Sequence, residues 1–323
     1  VSGDFAGTNL PRGSFDDGVR EFLDAAANDA LPETAMFGSQ EGMDFLHRRR
    51  AARRSPRPVV TVADVEELET HGGVPVRVYR PGAREQAPML VYFHGGGWAV
   101  GDLDMHDRTC RLISARTGAV VVNVGYRLAP EHPFPAPLDD CVEATSWAFA
   151  QADSWGVDAR RVVVGGTSAG ANLAAAVAVR RHDESELAPL AGMILLYPVL
   201  DSRMQTPSYH EKSRGFFLTA AEMRFFWDAF VQDGRDRTHP WLSPGLIPDV
   251  GHLPPTVVVT AEHDPLRDEG RAFGARLAEA GLLVAEYEAP GQIHGFVTAF
   301  PESAPTRHVL ELIDNAINVM RHP

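Results

Sequence analysis

The apolar residues of this chain gather in short, nearly unbroken runs. Residues 89–93, 119–124, 161–164, 193–197 and 256–260 are each dominated by Val, Leu, Ile and Met, and 283–287 follows the same habit more loosely. Runs of that length, bounded by turn residues, predict strands covered on both faces. Between them the pattern changes to helical spacing over 109–116, 138–150, 266–280 and 309–320, and over an Ala-rich stretch after Ser168. Alternation of this kind predicts a parallel sheet with helices on both sides, whose chemistry collects beyond the carboxyl ends of the strands. Residues 59–68 and 74–79 alternate instead, like an antiparallel pair joined at Gly72–Gly73. Residues 15–54 read as helical: Phe15, Val19, Phe22 and Leu23 recur at helical spacing, and Phe45–Leu46 opens a second stretch before Pro56 and Pro58.

One segment interrupts the alternation. Between the strands near 197 and 256 lie Phe216, Phe217, Phe225, Phe226, Trp227, Phe230 and Trp241. Such crowding suits an extra helix packed on the core. It equally suits a lid whose apolar face lines a pocket, and the lid, completed by the N-terminal helices, is the expectation. The division that follows is N-terminal cap helices over 1–54, a catalytic domain over 55–200 and 246–323, and a cap insertion over 201–245.

Charge and composition narrow the partners. The formal net charge of −13 disfavours nucleic acid and anionic membranes. The one strong basic run, Arg48–Arg49–Arg50–Ala51–Ala52–Arg53–Arg54, reads as a solvated helix end or a partner for acidic side chains rather than a phosphate grip. Two cysteines, Cys110 and Cys141, make neither a disulfide framework nor a metal cluster, which fits a reducing compartment. No stretch has the length of a membrane span, and Val1–Ser2–Gly3–Asp4 has no signal-peptide pattern. The expectation is a cytoplasmic protein.

The chemistry centres on Gly166–Thr167–Ser168–Ala169–Gly170, entered from an apolar strand and left by a helix. A serine on so tight a turn is lifted clear of the sheet, and the helix directs its N-terminus toward the reacting oxygen. A serine hydroxyl needs a base, and the base needs an orienting carboxylate. His294, in the glycine-flanked loop after the last strand, is the best base; Asp264, just after the preceding strand, is the best carboxylate. The rivals are His263, which neighbours Asp264 and should point elsewhere, Asp268, which should cap or pair within its helix, and Glu262. His94–Gly95–Gly96–Gly97 follows a strand and offers N–H groups for an oxyanion, with the N–H of Ala169 completing the set. Neither a P-loop lysine nor G-x-G-x-x-G spacing is present, so nucleotide binding is weakly supported. Asp102, Asp104, His106 and Asp107 are irregularly spaced for metal and are expected to hydrogen-bond. Neither a metal nor a cofactor is expected. Trp98, Phe216, Phe217 and Leu218 are the candidate substrate-contacting residues.

These motifs together resemble a known family, the hormone-sensitive-lipase-like branch of α/β-hydrolases, the bacterial family IV esterases. The matching stretches are His94–Gly95–Gly96–Gly97–Trp98, Tyr126–Arg127–Leu128–Ala129–Pro130–Glu131–His132–Pro133–Phe134–Pro135, the Ser168 turn, Asp264–Pro265–Leu266–Arg267–Asp268–Glu269 and His294–Gly295–Phe296. They run in the family's order from about residue 56 onward, with serine, acid and histidine in the order of α/β-hydrolases. The resemblance implies an α/β-hydrolase fold with a mostly parallel sheet of about eight strands and a helical cap. It implies a triad of Ser168, Asp264 and His294, and oxyanion donors from two of Gly95, Gly96 and Gly97 plus Ala169. It also implies a serine carboxylesterase acting on short to medium acyl esters, often as a homodimer. Many relatives carry Asp where Thr167 stands, so the chain resembles a smaller branch. H-G-G-x-W is also similar to arylformamidases, which keeps an amide or formamide hydrolase in view. Plant hormone receptors on this scaffold lack the histidine base that His294 supplies here.

Overall fold

The computed structural model describes residues 15, 17–26, 31–32, 35–51, 60–82, 86–184 and 188–321. Arg53, Arg54, Pro56, Pro58 and Val59, all named above, lie outside these, as do Val1, Ser2, Gly3, Asp4 and Ala52. The described residues form an eight-stranded sheet in the order β1-β2-β4-β3-β5-β6-β7-β8. The strands are β1 (Asp64–Glu69), β2 (Pro75–Arg80), β3 (Ala87–Phe93), β4 (Val120–Val124), β5 (Val157–Thr167), β6 (Gly192–Leu196), β7 (Thr256–His263) and β8 (Leu283–Ile293). β1 and β2 pair antiparallel in the register Asp64↔Arg80, β2 joins β4 antiparallel, and every remaining pair is parallel.

The unbroken apolar runs are unbroken because both faces are covered. Along β3, Met89, Val91 and Phe93 enter one core while Leu90 and Tyr92 enter the other. The helices are α1 (Asp17–Ala26), α2 (Gln40–Ala51), α3 (Asp107–Thr117), α4 (Ala136–Gln151), α5 (Ala169–Asp183), α6 (Pro207–Glu211), α7 (Ala220–Phe230), α8 (Arg267–Glu279), α9 (Phe296–Ala299) and α10 (Ala304–Val319). α3 and α10 contribute Ile113, Val309 and Ile313 to the second core; α4, α5 and α8 contribute Leu138, Leu173 and Phe273 to the first. The 15–54 reading resolves into two helices, and β8 runs six residues past the expected end at 287. The extension pairs with β7 through Glu288↔Thr260, Ala289↔Ala261 and Ile293↔His263.

α2 and α7 pack against each other at the carboxyl ends of the strands. Phe45 of α2 meets Phe225 and Phe226 of α7 at centroid distances of 5.7 and 6.2 Å. α7 begins with a capping box between Thr219 and Glu222, which satisfies two amides that a helix start would otherwise leave open. The basic run does serve acidic partners. Arg49 meets the buried Glu222 at 3.1 Å. Arg50 grips both carboxylate oxygens of Glu131 and donates to the carbonyls of Ala99 and Ala129. None of the described helices is long and apolar enough to cross a membrane.

Candidate active site

β5 ends at Thr167, and Ser168 makes the turn into α5 at φ 54° and ψ −120°. An L-residue rarely adopts a positive φ, and the strain persists only where the surroundings impose it. The imposition is visible on both sides. A Cβ on Gly166 or on Gly170 would overlap the carbonyl oxygen of Phe93, so β3 and α5 can approach this closely only with glycine there. The Ser168 N–H donates to Leu196 O at 2.9 Å, tying the turn to the end of β6.

β7 and β8 deliver the other two side chains. Asp264 follows β7 directly, is fully buried, and accepts the Leu266 N–H on Oδ1 at 2.9 Å. Its Oδ2 stands 2.7 Å from His294 Nδ1, and His294 Nε2 stands 2.8 Å from Ser168 Oγ. Ser168, His294 and Asp264 therefore form one continuous hydrogen-bonded chain with exposures of 8%, 6% and 0%. A chain of this type can draw a proton from a hydroxyl onto an imidazole whose other nitrogen is held by a carboxylate. The rivals are engaged elsewhere. His263 packs with the rings of Phe15 and Phe216 at 4.4 and 5.4 Å. Asp268 accepts the Ser208 N–H at the start of α6 and pairs with Arg267. Glu262 accepts the Gly291 N–H at 2.7 Å.

The glycine loop lies next to Ser168. A Cβ on Gly95 would come 2.9 Å from Thr167 Oγ1 and 3.4 Å from Ser168 Cβ. The carbonyl of Gly96 accepts the amides of Ala99 and Val100, folding the loop into a tight turn. The amides of Gly96 and Gly97 meet no acceptor among the described residues. Gly97 has φ +59°, and a Cβ there would overlap the ring of Phe226, so α7 backs directly onto the loop. His94 braces the loop from beneath. Its ring stacks on Tyr126 at 4.2 Å, and the Tyr126 hydroxyl donates to His94 O at 2.7 Å. Ala169 is the first residue of α5 and is fully buried.

The candidate substrate-contacting residues divide. Phe217 borders the site: a Cβ on Gly295, next to His294, would lie 3.8 Å from Phe217 Cε1. Phe216 instead stacks on His263. Leu218 is buried, and its N–H donates to Phe216 O at 3.1 Å. Trp98 is fully buried beneath α7. Asp102, Asp104 and Asp107 accept from Met105 N, Arg77 and Arg111 respectively, and His106 Nδ1 lies 2.9 Å from the Tyr92 hydroxyl. Among the described residues no group of three or more metal-ligating side chains converges. A cleft of about 910 Å³ opens beside α2, lined by Arg50, Val100, Asp102, Leu128 and Glu131; no triad residue lines it.

One contact was missed in the sequence. Tyr197, just past β6, has φ 39° and sets its ring edge-on to His294 at 5.0 Å. The strand end was readable there, but the direction of the side chain depends on a positive φ that tyrosine does not advertise.

Residues 90–298 match the family model of the alpha/beta hydrolase fold. Carboxylic ester hydrolase LipN of Mycobacterium tuberculosis is 39% identical over 262 residues, covering 79% of this chain and 69% of that protein. Ethyl acetate hydrolase of Pseudomonas putida is 37% identical over 235 residues, covering 71% and 74%. Among solved structures, an alpha/beta hydrolase enzyme from the metagenome of Lake Arreo, Spain, superposes with a TM-score of 0.80 at 37% identity over 95% of this chain and 98% of its own. The chain belongs to the α/β-hydrolase family, in its hormone-sensitive-lipase-like branch.

Proposed function

We propose that this protein is a serine carboxylesterase that hydrolyses short- to medium-chain acyl esters through an acyl-enzyme. The observation that carries the reading is the unbroken chain Asp264–His294–Ser168 at 2.7 and 2.8 Å, in a family whose relatives are named as ester hydrolases. Ser168 Oγ attacks the ester carbonyl carbon while its proton passes to His294 Nε2. Asp264 holds the imidazole in the tautomer that leaves Nε2 free to accept, and steadies the imidazolium that forms. The negative oxygen of the tetrahedral intermediate is stabilised by the N–H of Ala169 and two amides of Gly95, Gly96 and Gly97. Collapse expels the alcohol, which takes the proton from His294. A water then enters, gives its proton to His294 and attacks the acyl carbon, releasing the acid and restoring Ser168.

The substrate is a small-molecule ester, and no step calls for a cofactor. The aromatic bracket around His294 supports a short pocket, and the ester of a short acid named for the Pseudomonas relative accords with it. Helices α1 and α2 and the 201–245 segment serve as the cap. The buried free thiols of Cys110 and Cys141 support a cytoplasmic setting. β1 and β8 are the two edge strands of the described sheet, and a homodimer is the assembly proposed for the chain. Initial rates over p-nitrophenyl esters of increasing acyl length, with the matching anilide as control, test the reading. Ester turnover that falls off beyond medium chains supports it; preference for the anilide would replace it with an amide hydrolase.

A further inference from the structure

Six described non-glycine residues have a positive φ, among them Ser168, Tyr197, whose ring stands edge-on to His294, and Phe217. Phe217, at φ 74°, is the one of these three whose ring lies beside Gly295. A bulky side chain is strained in that region and stays there only where its neighbours over-determine it. Its neighbours come from α1, α2 and the loop after β8. Phe22 of α1 meets its ring edge-on at 5.0 Å. The Arg49 guanidinium of α2 lies over the ring, 5.2 Å from its centroid. Gly295 faces its edge.

Arg49 is itself fixed. Its NH2 donates to Glu222 Oε1 at 3.1 Å, and its guanidinium also lies 5.3 Å from the Phe45 centroid. Glu222 is fully buried, and its other oxygen, Oε2, is committed to the Thr219 amide and hydroxyl in the capping box. Burial pushes the Glu222 carboxyl up, and Arg49 opposes that shift. The planar cation thus joins an anchored carboxylate to an aromatic face, a dual contact that an ammonium cannot make with the same geometry. The result is a relay of contacts from α7 through α2 to the loop that carries the imidazole.

We infer that Arg49 is a specificity-determining residue, which holds the Phe217 ring against Gly295 and so sets the room available to the ester beside His294. The inference rests on the esterase reading and names a residue outside the triad. Freed from Arg49, the strained Phe217 backbone relaxes, the ring leaves the imidazole loop, and longer or bulkier esters fit.

The test compares kcat/KM for p-nitrophenyl decanoate and acetate in wild type, R49K, R49M/E222Q, F217A and R49M/E222Q/F217A. E222Q removes the buried charge that loss of Arg49 would strand. R49K keeps a charge beside Glu222 but gives up the planar face, and it decides the matter if R49M/E222Q does not fold. The decanoate-to-acetate ratio should rise at least about tenfold in R49M/E222Q and in F217A, the range expected when a pocket wall is withdrawn. R49K should move the same way. Because Arg49 acts through Phe217, the triple variant should match F217A within about threefold. An unchanged ratio in folded R49K and R49M/E222Q overturns the inference, as does full additivity in the triple variant. Fluorophosphonate labelling keeps the two levels separate: a wild type that is not labelled at Ser168 refutes the esterase reading, whereas normal labelling with an unmoved ratio refutes only the role of Arg49.

Discussion

Trp98 lies flat on Phe230, ring centroids 4.4 Å apart and planes 4° from parallel. Trp98 belongs to the loop that follows β3 and Phe230 ends α7, so the glycine loop and the inserted helix are one packed body. Trp227 adds a second contact to the indole at 4.6 Å. Phe230 is fully buried, so Phe230→Ala should cost about 3–5 kcal/mol of stability. It should also lower kcat, because the amides of Gly96 and Gly97 lose their backing. Urea unfolding and steady-state kinetics read the two effects separately. A large loss of stability with kcat intact would mean that the loop holds its shape without the helix.

Asp264→Asn and Asp268→Asn separate the carboxylate that follows β7 from the one in the first turn of α8. The first leaves the geometry intact but favours the wrong imidazole tautomer, and turnover should fall by on the order of 10⁴. The second removes the charge from the side chain that accepts the Ser208 amide and pairs with Arg267. It should loosen α6 and leave kcat within about tenfold of wild type, the scale of a surface ion pair and cap. Reversal of the two results would reassign the orienting acid.

The sheet and the hydrogen-bonded set Ser168, His294 and Asp264 were legible because both follow strong local rules. Val120–Val124, Met193 and Val258 sit in runs too apolar for a one-faced strand. Ser168, Asp264 and His294 each stand just beyond a strand end. The far half of β8 was not legible. Glu288, Pro290 and Gly291 break the apolar pattern, and pairing with β7 overrides it. The basic run illustrates a different limit. Its preference for acidic partners could be read from composition, but Glu222 lies 173 residues from Arg49 and Glu131 lies 81 from Arg50. Only the fold selects those two among the many carboxylates. Phe216 and Phe217 show the same limit in miniature, since a turn with φ 74° sends adjacent rings to different neighbours.

Arg50 holds the Glu131 carboxyl at about 2, below its ordinary 4.5, chiefly through the hydrogen bonds of its guanidinium. A carboxylate depressed in the folded state adds stability above its unfolded pKa, and the contribution disappears as pH falls through 4.5 toward about 2. The Glu131 side chain is more than half exposed, so the contribution is screened and should stay under about 1 kcal/mol. Glu131→Gln should therefore unfold at lower urea than wild type near neutral pH, and the gap should narrow on acidification to about pH 3. A gap that widens with acid would have the wrong sign for this pair.

Phe217→Ala should move the acyl-length optimum to longer chains, because the ring that borders Gly295 no longer ends the pocket. Each methylene then accommodated is worth about 0.8 kcal/mol of binding. Phe216→Ala should leave the optimum in place and loosen the contacts around His263. The readout is kcat/KM against acyl length for both variants. A shift in Phe216→Ala alone would exchange the two assignments.

Whether Ser168 is the nucleophile of an acyl-transfer reaction is tested by covalent labelling. A fluorophosphonate should label the protein once, with the adduct on the peptide that carries Ser168 and ester turnover lost in step with labelling. Ser168→Ala should fold normally, take no label and hydrolyse p-nitrophenyl acetate at under about a hundredth of the wild-type rate, since triad removal leaves only the residual catalysis of the oxyanion donors and binding. An adduct on another residue, or a Ser168→Ala variant that still turns over ester above that level, would contradict the account.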